Sequence, residues 1–125
     1  MYLKRIYLSQ FRNYNHLLLD LHTGINIIYG ENAQGKTNLL ESIYVLGITK
    51  SHRSFIDHNL IQEGKNYLQI KGILEENGID NVYEIQIQNV RNKVLKINDN
   101  VIKRVSDYIS KINIIIFYPD DLDLI

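Results

Sequence analysis

The residues best suited to chemistry form one run at positions 30–37, which fits the pattern G-x-x-x-x-G-K-[ST] without a substitution. The glycines of such a loop let the backbone turn tightly, so that its N–H groups approach phosphate oxygens. Lys36 can reach the β- and γ-phosphates as a point charge, and the Thr37 hydroxyl can ligate Mg²⁺. The helix that follows would direct its positive dipole end at the same anion. The run therefore predicts a P-loop that binds a nucleotide.

The flanking residues provide the elements that such a loop needs. Residues 25–29 form a short apolar, β-branched run, which is typical of a buried parallel strand. A chance match in an ordinary turn is the alternative, and the strand–loop–helix context argues against it. The apolar residues that recur at helical spacing after the loop are Leu39, Leu40, Ile43, Tyr44 and Leu46.

The rest of the chain predicts an α/β fold with a mixed sheet and an antiparallel β-meander. Tight turns are expected at residues 77–78 and 98–100, and residues 12–16 are expected to form the turn of a leading hairpin. Residues 47–59 are predicted to be irregular. Residues 105–112 fit a short helix with its cap near residues 104–107, and residues 113–117 fit a second buried parallel strand beside the P-loop strand. Further strands are expected at residues 2–11, 17–21, 67–74, 82–88, 94–97 and 101–103.

Composition excludes several classes of protein. A chain of 125 residues fits one domain, and its 14 basic and 14 acidic residues argue against a dedicated cationic DNA-binding module. The absence of cysteine excludes disulfides and thiolate metal sites. The first residues lack an apolar signal segment, and no apolar run approaches the length of a membrane span. These features predict no membrane association and are compatible with a cytoplasmic location.

A P-loop NTPase also needs a second acidic site, the Walker B aspartate at the end of an apolar strand. Residues 114–117 followed by Asp120 superficially resemble one, but Tyr118 and Pro119 intervene. We therefore expect the Walker B residues beyond residue 125, and this chain to be the N-terminal part of a longer protein.

Seven short motifs follow one another along the whole chain. They are YLKRI (2–6), FRNY (11–14), GIN (24–26), GENAQGKTNLLE (30–41), SHR (51–53), KIN (96–98) and FYPDDL (117–122). The P-loop alone would match many families, but this combination resembles the RecF family of bacterial DNA replication and recombination-repair proteins. Two departures concern Ile48-Thr49-Lys50, where the family more usually has a glycine–arginine pair, and Asp120 or Asp121, which stands where related heads place a glutamine.

The resemblance implies that residues 1–125 are the N-terminal lobe of an ABC-type ATPase head, akin to SMC proteins but without a long coiled coil. Two such heads would enclose two ATP molecules, with Mg²⁺, and a signature motif of the second head would complete each site. The ATP-bound homodimer would bind single-stranded or gapped duplex DNA and release it on hydrolysis. Partners would be proteins of the RecR and RecO type, in gap repair, recombinase loading and the SOS response.

Within the resemblance, the complete protein would be a slow DNA-dependent ATPase. This piece alone is predicted to bind ATP weakly and to be inactive, with no catalytic residue of its own. Thr37 is the expected metal ligand. The expected nucleotide contacts are Gly30, Glu31, Asn32, Ala33, Gln34, Gly35, Lys36, Thr37, Asn38, Arg12 and Asn13.

Several assignments stay open at the level of sequence. Arg12 and Asn13 suit a nucleotide contact, and they are equally ordinary in a solvated turn. His52 and Arg53 could contact ATP or DNA, or lie on an ordinary surface. A small-metabolite kinase is the main alternative function, although the leading hairpin and the meander argue against it. An interaction domain with a vestigial P-loop is a third, against which the intact Lys36 and Thr37 argue.

Overall fold

A computed structural model describes residues 1–24 and 33–112. The strands predicted at residues 25–29 and 113–117, and the acidic residues at 120 and 121, lie outside these ranges. The elements in chain order are β1 (Tyr2–Phe11), β2 (Tyr14–Asp20), α1 (Ala33–Ile48), a short 3-10 helix (Asp57–Leu60), β3 (Tyr67–Glu76), β4 (Ile79–Gln88), β5 (Val94–Ile97), β6 (Asn100–Ile102) and α2 (Val105–Ile109).

The six strands of the described residues form one antiparallel sheet with the order β2-β1-β3-β4-β5-β6. The chain makes the β1–β2 hairpin, leaves through α1 and returns as β3 on the other side of β1. Strand residues two apart share a face, and the alternate apolar residues of three adjacent strands meet there. They are Ile6, Leu8, Leu68, Ile70, Leu74, Ile85 and Ile87, all buried.

Two hairpins turn as their sequences predict. Asn77 and Gly78 both have positive φ (54° and 78°), and so do Asn98 and Asp99 (51° and 67°). Paired positive φ values match the right-handed twist of the flanking strands, and Asn, Asp and Gly adopt them at the lowest cost. The antiparallel β-meander predicted from the sequence is therefore confirmed from β3 to β6.

Helix α1 packs against β1, β3 and β4 and covers the centre of the sheet. Its approach is close: a Cβ atom on Gly72 of β3 would lie 2.4 Å from Leu46 Cδ2 and 3.1 Å from Leu3 Cδ1. Leu39, Val45 and Leu46 are buried in this contact. The other helical residues singled out by spacing (Leu40, Ile43 and Tyr44) are only half-buried. The helix that carries the end of the P-loop is thus held directly on the sheet.

The second helix, α2, is anchored to the C-terminal end of α1 by Tyr108. This side chain is fully buried, and its hydroxyl donates to the Leu46 carbonyl oxygen at 2.7 Å. Its ring stands edge-on to Tyr83 with centroids 5.7 Å apart. Burial raises the pKa of Tyr108, so its phenol stays a donor. The helix ends at Ile109, whereas the sequence predicted that it would continue to residue 112.

Two predicted boundaries were wrong near the site. Strand β2 begins at Tyr14 instead of Leu17, because the pairing of Phe11 with Tyr14 leaves a two-residue turn. The stretch 47–59 is not wholly irregular, since α1 continues to Ile48 and the 3-10 helix begins at Asp57. No helix of the described ranges has both the length and the apolarity needed to cross a membrane.

Candidate nucleotide-binding site

A partly buried ion pair joins the turn between β1 and β2, here called the first turn, to α1, the P-loop helix. Arg12 Nε and Nη2 donate to Glu41 Oε1 and Oε2 at 2.8 and 2.9 Å, which is a two-point guanidinium–carboxylate contact. Arg12 has a left-handed φ of 49°, and its amide donates to the Leu60 carbonyl at 2.8 Å. The Gln62 amide donates to the carbonyl of Gln10, whose φ is also positive at 56°. The turn is therefore held by its backbone while its arginine reaches across to α1.

Glu41 is the centre of the site. Its side chain has no solvent exposure, and it also accepts hydrogen bonds from Ser51 Oγ at 2.5 Å and Arg53 Nη1 at 3.2 Å. Burial alone would raise the pKa of the Glu41 carboxyl. The hydrogen bonds from Arg12 and Ser51, with the charges of Arg12 and Arg53, outweigh this effect and hold the pKa below its ordinary value. The group is ionised at neutral pH, and its four acceptor positions are all used.

The segment after α1 delivers a second arginine to the same carboxylate. Ser51 Oγ accepts hydrogen bonds from the Arg53 and Ser54 amides at 2.8 and 3.2 Å, which forms a compact serine turn. Arg53 Nη1 then reaches Asn38 Oδ1 at 2.7 Å as well as Glu41. This turn explains why serine suits position 51: one hydroxyl both shapes the segment and binds Glu41.

Two further contacts tie the hairpin to the start of α1. Asn38 Nδ2 donates to Asn13 Oδ1 at 2.8 Å, and the Tyr14 hydroxyl donates to the Gly35 carbonyl at 2.6 Å. Asn38 and Glu41 are three residues apart and so share one face of the helix. Gly35 belongs to the P-loop motif, and burial raises the pKa of Tyr14, which keeps its hydroxyl a donor. The first turn is therefore bonded to the P-loop helix itself.

These residues open onto a polar cleft of about 500 Å³. Its lining consists of Arg12, Asn13, Asn38, Arg53, His58, Asn59, Ile61 and Glu63. Two guanidinium groups share the single carboxylate of Glu41, so their cluster keeps a net positive charge. Glu63 brings an opposing charge to the lining, and the guanidinium and amide groups are the donors that a polar anion such as a polyphosphate would need.

The predicted P-loop residues fall partly inside the described ranges. Gly35 is buried, and Lys36 and Thr37 are half-buried in the first turns of α1, which begins at Ala33 and continues with Gln34. Gly30, Glu31 and Asn32 lie outside the described residues. Among the predicted contacts, the structure brings Arg12, Asn13 and Asn38 together beside the P-loop helix.

Neither of the two arginine side chains is freely solvated. The Arg12 and Arg53 side chains are 24% and 30% exposed, and both bind the buried carboxylate. His52 takes another position, edge-on against the Tyr44 ring with centroids 5.0 Å apart. Burial lowers the pKa of His52, and together with the Arg53 charge it outweighs the opposing effect of Glu41. His52 is therefore neutral at pH 7.

A Mg²⁺ ion fits this site only in part. Thr37 supplies a hydroxyl in the first turns of α1, and such ions take their remaining ligands from phosphates, water and a carboxylate. The acceptor positions of Glu41 are all occupied, so it is not that carboxylate. Within residues 1–24 and 33–112, no group of three or more His, Cys, Asp or Glu side chains is placed to hold a metal.

Sequence reasoning missed Glu41 as the organising residue. It appeared only as the last residue of a motif, and an acidic residue on a helix is usually solvated. One available signal was its position between apolar residues of α1, which are buried at Leu39 and Val45. A second signal was the presence of an arginine in each of two other motifs, because a buried carboxylate requires cationic partners.

An N-terminal hairpin and meander around a P-loop helix, with a polar cleft beside it, define the first lobe of an ABC-type ATPase head. The model of the RecF/RecN/SMC N-terminal domain family matches residues 2–119 of this chain. The chain belongs to this family, and the family resemblance inferred from its motifs is confirmed.

Within this family, the chain has high sequence identity to RecF proteins. The chain is 43% identical over 125 residues to the DNA replication and repair protein RecF of Streptococcus suis strain 05ZYH33, and 42% identical to that of Bacillus mycoides strain KBAB4. All of this chain is aligned in both cases. It spans 34% and 33% of those relatives, about a third of their length.

Solved structures agree with the fold. The structure of the recombination mediator protein RecF-ATP in the RecFOR pathway superposes with a TM-score of 0.88 at 33% identity, covering 98% of this chain and 34% of that one. The SMC head domain from Thermotoga maritima gives a TM-score of 0.72 at 21% identity, covering 89% and 42%. The second similarity concerns the fold alone, and it confirms the predicted fold class.

Proposed function

We propose that residues 1–125 are the N-terminal lobe of an ATP-dependent DNA-binding protein of recombinational repair and replication. The observation that carries this proposal is the hydrogen-bonded cluster of Arg12, Asn38, Glu41 and Arg53. It places the turn of the leading hairpin and the segment after α1 around a polar cleft beside the P-loop helix α1. The RecF names of the relatives and the RecF-ATP structure support ATP as the ligand.

The chemistry assigned to the site follows from its residues. Lys36 would neutralise the β- and γ-phosphates, the P-loop amides would donate to phosphate oxygens, and the Thr37 hydroxyl would hold Mg²⁺. Arg12 and Asn13 line the cleft from the side of the hairpin, and Asn38 lines it from α1. Glu41 binds no ligand in this proposal: it is ionised, buried and saturated, so its role is to position both arginines.

The complete protein would work as a nucleotide-gated dimer. The complete protein would supply Walker B and signature residues, ATP would join two heads, and the joined surface would hold DNA in single-stranded or gapped duplex form. RecO- and RecR-type proteins would be its partners, its location cytoplasmic and its complete form a slow DNA-dependent ATPase. This chain alone is expected to bind ATP weakly and release no phosphate in a turnover assay. The family membership speaks against the metabolite kinase.

A nucleotide titration tests the site itself. We expect this chain to bind a fluorescent ATP analogue, and Lys36→Ala to weaken that binding by about tenfold or more, because a charge-assisted phosphate contact is lost. Lys103→Ala, at an exposed position after β6, is the matched control and should bind like the original. Equal affinity for all three proteins would contradict a P-loop function for residues 30–37.

A second measurement tests the DNA step. In the full-length protein, ATP should increase the fluorescence anisotropy of a labelled gapped duplex, and Lys36→Ala should abolish the increase. Nucleotide binding without any DNA binding, with or without ATP, would move the function to a protein or small-molecule partner.

A further inference from the structure

Lys93 lies in the loop between β4 and β5 and bridges two points of the segment after α1. Its Nζ donates to the Thr49 carbonyl oxygen at 2.7 Å and forms an ion pair with Asp57 Oδ2 at 3.1 Å. Only 15% of the Lys93 side chain is exposed, whereas Asp57 is 36% exposed. Lysine side chains are seldom buried without a partner, so this position is defined by its two contacts.

The two contacts bracket the residues that deliver Arg53 to the cleft. Thr49 directly follows α1 and has a left-handed φ of 73°, an unfavourable backbone state for a β-branched residue. Asp57 begins the 3-10 helix that continues toward the cleft residues His58 and Asn59. A cation near the end of α1 also meets the negative end of its dipole. One ammonium group therefore stabilises both ends of the stretch 49–57.

The middle of this stretch is hydrogen-bonded to Glu41. Ser51 Oγ and Arg53 Nη1 both donate to that carboxylate. Lys93 thus binds the two ends of the stretch 49–57, and Glu41 binds its middle. Thr49 leaves α1 with a left-handed φ, and the two attachments hold the residues that follow it in a fixed geometry.

We propose that Lys93 is a positioning residue for the nucleotide cleft: its bridge between Thr49 and Asp57 fixes the segment that presents Arg53. This inference rests on the proposed function, because it requires the cleft to bind a nucleotide. It assigns a functional role to the loop between β4 and β5, which contributes no lining residue to the described cleft.

A double-mutant cycle with a fluorescent ATP analogue tests the proposal. Lys93→Met keeps the aliphatic stem and removes the ammonium, and it should raise the Kd about five- to tenfold, as loss of a charged hydrogen bond would. In an Arg53→Gln background the same change should alter the Kd by less than about twofold, because the group that Lys93 positions is already gone. Lys93→Arg, which keeps the charge, should restore part of the affinity.

The controls separate positioning from general stability. Lys103→Met removes an exposed lysine and should leave the Kd unchanged. Asp57→Asn removes only the ion pair and should raise the Kd by about two- to threefold, which keeps the test available if Lys93→Met does not fold. Urea unfolding of each variant reports stability separately.

The possible outcomes are distinct. An unchanged Kd in Lys93→Met, with normal binding by the original protein, overturns the inference and leaves the proposed function intact. Equal fold-changes in the original protein and in the Arg53→Gln background also overturn it, because Lys93 would then act independently of the arginine. Failure of the original protein to bind any nucleotide would overturn the proposed function and the inference together.

Discussion

Replacing Glu41 by glutamine tests the centre of the site most directly. Glu41→Gln keeps the size of the side chain but removes the charge that two guanidinium groups share. The new NH2 group also carries two N–H donors and faces two donors: Arg12 Nε and Arg53 Nη1 if it takes the Oε1 position, or Arg12 Nη2 and Ser51 Oγ if it takes the Oε2 position. The change therefore leaves two arginines without their counter-ion and turns two accepting positions into donors that face other donors.

The expected magnitude follows from burial. Removing one partner of a buried ion pair costs about 3–5 kcal/mol, because the other charge stays unpaired. Here the arginines are 24% and 30% exposed and can recruit water, so the cost should fall at or just below the lower end of this range. We expect the free energy of unfolding at pH 7 to fall by about 2–3 kcal/mol, which corresponds to roughly 6–15 °C in Tm for a chain of this length.

Urea unfolding as a function of pH identifies the cause. The pKa of Glu41 is depressed in the folded state, so its ionised form stabilises the protein above the unfolded pKa of about 4.3. That stabilisation is lost as the pH falls from this value through the lower folded pKa. The stability difference between the original protein and Glu41→Gln should therefore be full at pH 7 and shrink progressively below about pH 4.3.

Glu76→Gln, at an exposed position at the end of β3, is the matched control and should change stability by less than about 0.5 kcal/mol. A Glu41→Gln difference that stays constant between pH 7 and pH 3 would refute the electrostatic explanation. A difference near zero at pH 7 would show that the cluster contributes no net stability.

Two further substitutions test how α1 is held. Gly72→Ala should lower the free energy of unfolding by about 1–3 kcal/mol, since the new methyl group would meet fully buried Leu46 at 2.4 Å. Urea denaturation measures this change. If the clash with Leu46 is the cause, Gly72→Ala should cost no stability in a protein that already carries Leu46→Ala. Tyr108→Phe should cost about 1–3 kcal/mol because the buried Leu46 carbonyl loses its hydroxyl donor, and unchanged stability in the same assay would contradict that hydrogen bond.

Local features of the fold could be predicted because neighbouring residues determine them. The alternation of Tyr83, Ile85 and Ile87 predicted the strand that became β4, and Asn77-Gly78 predicted the turn before it. The start of β2 could not be found in this way. Residues 14–16 are Tyr, Asn and His, whose composition favours a turn, and only their pairing with β1 makes them a strand.

The site could be predicted in its residues but not in its arrangement. The P-loop motif and the first turn indicated Lys36, Thr37, Arg12 and Asn13 without any structure. The contacts that organise them join residues separated by 10 to 29 positions, in elements whose packing is not encoded by local spacing. Lys93 is more distant still, 44 residues from Thr49, and no motif includes it.

The buried position of Glu41 also explains how a chain of zero net charge presents two partly exposed guanidinium groups to one cleft. In the net charge of the sequence, Glu41 cancels one arginine, regardless of which of these side chains faces solvent. In the structure the carboxylate is fully buried beneath the two guanidinium groups, which remain partly exposed toward the cleft. The two guanidinium groups therefore face the cleft while the carboxylate that they share faces the core, and net charge carries no information about such a separation.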